Sequence, residues 1–378
     1  DIFDAMGAVW GHQYGLEVVN YFATGDEPRF ETPSFRRSNA WEATRREVQA
    51  VREGVGINET HNFGKYRVTG PRARAWLDRI MAGRIPAPGR LALTPMLSPG
   101  GRLWGDFTVS CVEEEHFHLT ASYGAQAFHM RWFLQNMEEG VTVENVSDRL
   151  TGFQIAGPQA RAVLQAATRA DVAEMRFLDV RRLTIGMVDC LVQRVSYTGD
   201  LGYEIFCDPM AQRALWDALR EAGAPLGMRP FGMRAMMSLR LDRFFGAWGA
   251  EFSPDYTPGE TGLDRFISWR KNVDFVGRAA AERERAEGAA RTLRPFAVET
   301  RDADVHGYEP IWIGGEVTGF CTSGGYSHHA DTAVALGLIP TEAAAPGLEV
   351  EIEILGEMRT ARMLETPLFD PEGLRLRG

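Results

Sequence analysis

Lysine is almost missing from this chain. Lys65 and Lys271 are the two it has, and arginine supplies the rest of the basic charge, a bias that reads as genome composition. No basic run stands out and the formal net charge is -10. A nucleic-acid footprint wants clustered Lys and Arg, so that class of partner is set aside. No apolar segment approaches the ~20 residues of a membrane-spanning helix, and no membrane association is expected. The opening residues, DIFDAMGAVWG, lack both the basic start and the apolar core of a secretory signal. They also lack a first Met, and read as a processed or excised piece of something longer, placed in the cytoplasm. Cysteine is sparse: Cys111, Cys190, Cys207 and Cys321 stand alone, with no C-x-x-C pair. That excludes a zinc ribbon or a thioredoxin-like site, and predicts isolated buried thiols in a reducing compartment. No G-x-G-x-x-G follows a strand and opens a helix, and no G-x-x-x-x-G-K-[ST] occurs, so nucleotide sites of those kinds are not encoded. A nucleophile elbow and a Cys/His protease pair are missing too.

What is present is ample material for buried cores: 378 residues, 44% hydrophobic, enough for two or three domains. One internal repeat is visible. YRVTGPRARAWLDRI, Tyr66 to Ile80, resembles FQIAGPQARAVLQAA, Phe153 to Ala167. Both read as strand, Gly-Pro turn and amphipathic helix, which predicts two related subdomains packed together. The remainder predicts an α+β protein. LTIGMVDCLVQRVSYTGDLGYEIF reads as a run of hairpins, AQRALWDALREAG as a helix closed by Gly223, and GMRAMMSLRLDRFFGAWG, Gly232 to Gly249, as a helix dense in Met and aromatic residues. After a charged stretch and a linker ending near Pro295, short strands with frequent turns predict a small antiparallel barrel or sandwich. Residues before about Glu47 look loop-rich, without clear periodicity. The expected division is a linker segment over 1–46, a two-subdomain unit over 47–286 and a barrel over 287–378.

Two carboxylates invite a functional question. Glu204 sits between Tyr203 and Ile205 inside an apparent returning strand, where Glu is poorly suited; its plain reading is the wet face of an edge strand. Asp106, in LSPGGRLWGDFTVS, sits where the second strand of a hairpin begins, and its plain reading is a loop cap. His116 and His118 alternate and share one strand face, which without a third partner reads as a solvated face and not as a metal site. His328 and His329 point to opposite faces if extended, which is poor metal geometry. No metal site is expected.

Taken in order, REVQAVREGVGINETHNFGKYRVTGP, SPGGRLWGDFTVS, SYTGDLGYEI, SLRLDRFFGAWGAEF, DFVGRAA, TSGGYS and LEVEIEILGEMRTARMLETPLFDPEGLRLRG resemble the glycine-cleavage T-protein (aminomethyltransferase) family. The likeness runs over almost the whole chain. With DAMGAVWGHQYGLEVVNYFA it is strongest to the C-terminal, tetrahydrofolate-binding half of dimethylglycine and sarcosine dehydrogenases. The resemblance implies a three-subdomain cloverleaf, two related α+β subdomains plus a C-terminal antiparallel β-barrel, around a central folate pocket. It implies that Glu204 recognises the pterin, that Tyr197 lines the pocket and that Asp106 is the catalytic carboxylate. Phe245 matches an aromatic pocket position, and Ser122 stands where the family has a folate-contacting Asn. Met236 replaces a family Arg, a loss shared with the dehydrogenase branch. Arg265 replaces an aromatic residue.

The function so implied is capture of a one-carbon unit from an oxidised N-methylated amine by tetrahydrofolate, giving methylene-tetrahydrofolate. Oxidation needs FAD, which is expected on an absent half of the polypeptide or on a flavin-dependent partner. Two alternatives stay open: a stand-alone folate-dependent demethylase, and a non-catalytic folate-binding subunit.

Overall fold

A computed structural model describes residues 1–378. Its two halves repeat one theme. The strand Phe63–Thr69 leads through Gly70-Pro71 into the helix Ala73–Ile80, and the strand Thr151–Ala156 leads through Gly157-Pro158 into the helix Ala160–Ala167. Both turns depend on glycine. Gly70 and Gly157 have φ of 119° and 125°, and a Cβ on either would fall 2.3 or 2.4 Å from a backbone carbonyl oxygen. The internal repeat is therefore two copies of one strand–turn–helix unit, each built into its own sheet.

The first unit belongs to a five-stranded antiparallel sheet, ordered Arg90–Leu97, Leu103–Glu113, His116–Ser122, Phe63–Thr69, Thr142–Asn145. The second belongs to a six-stranded sheet, ordered Val180–Ile185, Val188–Gln193, Gly202–Cys207, Thr151–Ala156, Gly56–Glu59, Arg229–Pro230. The third unit is a closed six-stranded barrel spanning Arg291–Val298 to Glu357–Met363, in which Phe296 pairs with Met363 to complete the ring. The α+β cloverleaf implied by the resemblance is the observed architecture.

Strand alternation decides which way each sheet turns. On Gly202–Cys207, Tyr203, Ile205 and Cys207 pack in a core with Trp216 and Leu219 of the helix Gln212–Gly223. On Leu103–Glu113, Phe107, Val109 and Cys111 pack in a core with Trp76 and Phe133. Each sheet thus buries its apolar face under its own helices. The opposite faces carry Glu204 on one sheet, and Asp106, Thr108 and Ser110 on the other. They meet in the middle of the molecule, where the His118 and Phe206 rings lie 5.2 Å apart.

Several local expectations are corrected. The segment before Glu47 is ordered: Ala8–Gln13 and Leu16–Phe22 form an antiparallel hairpin, and the helix Trp41–Glu53 begins inside it. A bulge between Val9 and Trp10 breaks the alternation that would have announced the first strand. The Gly232–Gly249 stretch is not one helix. It is helical over Met233–Leu241; Phe244 then takes φ of 56° and the chain turns back as a loop. Glu204 is on an interior strand, between Val188–Gln193 and Thr151–Ala156, and is buried. Asp106 is the fourth residue of its strand, paired with Pro95, and not a loop cap. The face holding His118 is dry; burial pushes that imidazole down to about 3. All four cysteines are buried and free, and no cluster of His, Cys, Asp or Glu has the makings of a metal site. No helix is long and apolar enough to cross a membrane.

Candidate functional site

The two polar sheet faces enclose a cavity of about 320 Å³. Asp106, Ser122, Tyr197, Glu204 and Phe245, which the sequence singles out, all line it, as do Met236 and Arg265. They arrive from different elements. Asp106 and Ser122 come from the five-stranded sheet, Glu204 from the six-stranded sheet, and Phe245 from the loop after the Met233–Leu241 helix. The barrel strands contribute no lining residue. The barrel acts from behind, through the loop.

Glu204 stands in a polar row that crosses four strands. It is in register with Gln193 on one side and Gln154 on the other, and Gln154 is in register with Asn58. All four are buried. Gln154 donates to Asn58 Oδ1 at 3.2 Å, and Asn58 donates to the Phe231 carbonyl at 2.6 Å. Beyond those bonds the row is unsatisfied: Gln154 Oε1 and both amide atoms of Gln193 are buried without a partner. Buried polar groups are nearly always hydrogen-bonded, so a row of unmet ones beside a cavity is shaped for something polar. Burial pushes the Glu204 carboxyl up to about 8, and the positive charge of Lys65 pulls it part of the way back. Lys65 is itself buried, and its ammonium donates to the His61 and Ser147 carbonyls at 3.2 Å each. Desolvation brings it down to about 8.

Asp106 is held differently. Its Oδ1 is buried and has no hydrogen-bond partner. Burial lifts its carboxyl to about 7, against a smaller opposing pull from its own backbone N–H. No cation attends it. A carboxyl so placed is divided between its two protonation states near neutral pH, the condition under which proton transfer is most efficient.

The remaining wall is a braced loop. The Tyr197 hydroxyl donates to the Gly246 carbonyl at 2.7 Å, and its ring stacks on Phe245 at 6.1 Å. Beneath the loop, Arg240 and Glu251 form a fully buried ion pair at 3.0 Å. Arg240 also donates to the Phe245 carbonyl at 2.9 Å, and Glu251 accepts from the Ala247 N–H at 2.9 Å. Thr322 and Ser323 of the barrel donate to the other Glu251 oxygen. The barrel thus fixes the loop that carries Phe245.

The N-terminal hairpin supplies residues that sequence reasoning passed over. Its tip, Tyr14-Gly15, has φ of 54° and 85°, the signature of a two-residue type I′ turn. Gln13 and Tyr14 line the cavity, Gln13 accepts from Asn62 at 2.9 Å, and the Tyr14 ring lies flush against Gly124. Asn58 and Gln154 were missed as well. For Gln154 the signal was in view: it interrupts an apolar strand between Phe153 and Ile155, as Glu204 does between Tyr203 and Ile205.

Comparison with known proteins identifies the architecture. The GCVT N-terminal domain matches residues 1–271, and the glycine cleavage T-protein C-terminal barrel domain matches residues 291–370. The chain belongs to the glycine cleavage T-protein family. Within reach of that family it is similar to mitochondrial dimethylglycine dehydrogenase of Homo sapiens, 34% identical over 97% of this chain and 43% of that protein. The chain therefore spans less than half the length of that relative. It is similar over 85% of its length to the aminomethyltransferase of Geobacillus sp., 30% identical, covering 89% of that protein. The solved aminomethyltransferase T of the glycine cleavage system from Bartonella henselae shares the fold, with a TM-score of 0.85 at 22% identity over 98% of this chain.

Proposed function

We propose that this T-protein-family chain is a tetrahydrofolate-dependent one-carbon transferase that captures a methylene unit from an oxidised N-methylated amine. The observation that carries the reading is the pairing of two buried carboxyls in one cavity, one of them standing within a partly unsatisfied amide row. The pterin of tetrahydrofolate presents an amino group and a ring N–H side by side. Glu204, ionised, accepts both as parallel hydrogen bonds, as carboxylates do from planar donors. Asn58, Gln154 and Gln193 offer the remaining donors and acceptors of the same row. Tyr197 and Phe245 give the apolar wall on which a flat ring system rests.

Asp106 does the proton work. Attack of a folate nitrogen on an iminium or formaldehyde equivalent leaves a cation and a proton to remove. An ionised carboxylate stabilises the first and accepts the second. A resting value near 7 suits it to both. Ser122, on the strand next to that of Asp106, lines the same space and is assigned to folate contact.

Oxidation of the amine falls to a flavin-dependent domain or subunit outside these residues. Dimethylglycine dehydrogenase, more than twice as long as the matched region, is the relative that suggests it. The oxidation step is assigned to that part, and the one-carbon donor it produces is what this cavity receives.

The test is calorimetry of the purified chain with tetrahydrofolate, followed by formation of methylene-tetrahydrofolate from formaldehyde above the uncatalysed rate. Binding in metal-free, flavin-free buffer is expected. A chain that binds no tetrahydrofolate overturns the reading. A chain that binds it but adds nothing to the uncatalysed rate is a folate-binding subunit.

A further inference from the structure

One charged group in the cavity wall has no role so far. Arg265 is the single cationic side chain among the lining residues. It sits in a short 3-10 segment, Leu263–Phe266, entered through Gly262, whose φ of 73° turns the chain toward the cavity after the capped Pro258–Thr261 helix. Its guanidinium lies 4.9 Å from the Phe266 ring centroid and makes no ion pair. The acidic influence on it is Asp264, its own neighbour, while the side chain keeps an exposed surface and is desolvated only in part. The two cavity carboxyls do not use it. Lys65 is the cation that acts on Glu204, and none acts on Asp106.

Most arginines of this protein are spoken for. Arg240 meets Glu251, Arg52 meets Asp242 at 2.7 Å, and Arg37 meets Asp304 at 3.0 Å. A guanidinium left open at the rim of a largely apolar cavity is a planar donor set for an anion that arrives with the ligand. We infer that Arg265 binds a carboxylate of the incoming ligand and so selects what enters the cavity. This rests on the folate reading. Two ligands of that reaction carry such a group: the glutamyl tail of tetrahydrofolate, and an N-methylated amino acid as one-carbon donor. The shared chemistry is a carboxylate meeting the guanidinium fork. No bond is made or broken in the contact.

The experiment replaces Arg265 by Gln and by Lys in the full chain. Calorimetry is run with tetrahydrofolate, with 6-methyltetrahydropterin, which keeps the pterin and has no tail, and with dimethylglycine on the folate-loaded chain. Loss of a charge-assisted contact at a partly open site weakens binding by about tenfold. If the tail is the ligand, Arg265→Gln loses that factor for tetrahydrofolate and nothing for 6-methyltetrahydropterin, and Arg265→Lys recovers part of it. If the donor is the ligand, the loss falls on dimethylglycine. Unchanged binding of all three in Arg265→Gln overturns the inference and leaves the folate reading standing. A parent chain that binds neither pterin sinks the folate reading, and the dimethylglycine arm on the unloaded chain then decides the inference alone. Since Arg265 is exposed and unpaired, both variants are expected to melt with the parent, and a lowered melting temperature would count against a free guanidinium.

Discussion

Replacing Glu204 by Gln should make the folate-free protein more stable and a worse folate binder. The carboxyl is 7% exposed and its proton affinity stands near 8, against an ordinary 4.5. A carboxyl harder to ionise in the folded chain than in the unfolded one favours folding at low pH. That advantage disappears as pH rises from 4.5 toward 8, because the unfolded chain gains the charge and the folded chain does not. At ~1.4 kcal/mol per tenfold change in proton affinity, the wild-type carboxyl costs about 1 kcal/mol of stability near pH 5.5 and about 4 kcal/mol near pH 8. Gln is neutral at both. It can also bond to the Gln193 amide or to Gln154 Oε1, which now lack partners. Against this, Lys65 loses the negative charge that helps hold its own proton. A net gain of roughly 1–3 kcal/mol at pH 8, shrinking toward zero at pH 5.5, is therefore expected. Urea melts of the two proteins at both pH values give the four numbers.

Folate should reverse the order. The bound pterin needs an acceptor, and losing the charge costs about 1–3 kcal/mol of affinity. Because only the ionised carboxyl accepts both bonds, wild-type affinity should fall about tenfold for each pH unit below 8, and the variant should lose most of that slope. A Glu204→Gln protein less stable than wild type at pH 8 refutes the argument that burying this carboxyl outweighs the pull of Lys65. One that binds folate like the parent refutes its role in the pocket.

Other perturbations separate the remaining parts. Asp106→Asn keeps size and removes basicity, so tetrahydrofolate should bind near normally while the chemical step slows about 100- to 10,000-fold, read by rapid-mixing formation of methylene-tetrahydrofolate over background. In the parent, that rate should climb with pH through about 7, as the carboxyl lifted there by burial loses its proton, and then level; a flat profile refutes Asp106 as the base. Glu251→Gln leaves Arg240 charged and buried without its partner, so a loss of about 3–5 kcal/mol in a denaturant melt is expected. Tyr14 occupies a turn position that favours Asn, so Tyr14→Asn should not lower the melting temperature yet should weaken folate binding, and a drop in melting temperature would show that the ring is there for packing.

Part of the site was legible because a residue violates a local rule, and the rest, Asp106, Ser122, Tyr197 and Phe245, only through resemblance to the family. Glu204 in a strand interior and Gly70 and Gly157 at repeated turns are visible in single segments. Their causes are not local: the backbone that crowds Gly70 and Gly157 belongs to Gly140 and Val51. Asn58, Gln154, Gln193 and Lys65 are different. Nothing local joins them to Glu204; three share its row only because strands distant in sequence pair in one register. The loop carrying Phe245 was misread as helix for a related reason. Met and aromatic residues suit a buried helix, and the break at Phe244 is imposed by Arg240 and Glu251 reaching back to loop backbone groups.

That pattern has a physical cause. A sheet that covers one face with helices must do something with the other. In a lone sheet the second face goes to water, and polar residues there mean nothing. Here two such sheets face each other, and the barrel closes the loop side. The outward faces become an interior, so residues chosen for wetness are found dry. Every polar group on them must then find a partner, lose its charge or await a ligand. His118 has lost its charge, Asn58 has found a backbone carbonyl, burial holds Glu204 toward its neutral form, and Asp106 Oδ1 and the Gln193 amide are left without a partner. The unsatisfied groups are thus concentrated where the two halves of the repeat meet. A site made this way needs both copies of the strand–turn–helix unit, which is why neither half of the chain, read alone, discloses a pocket.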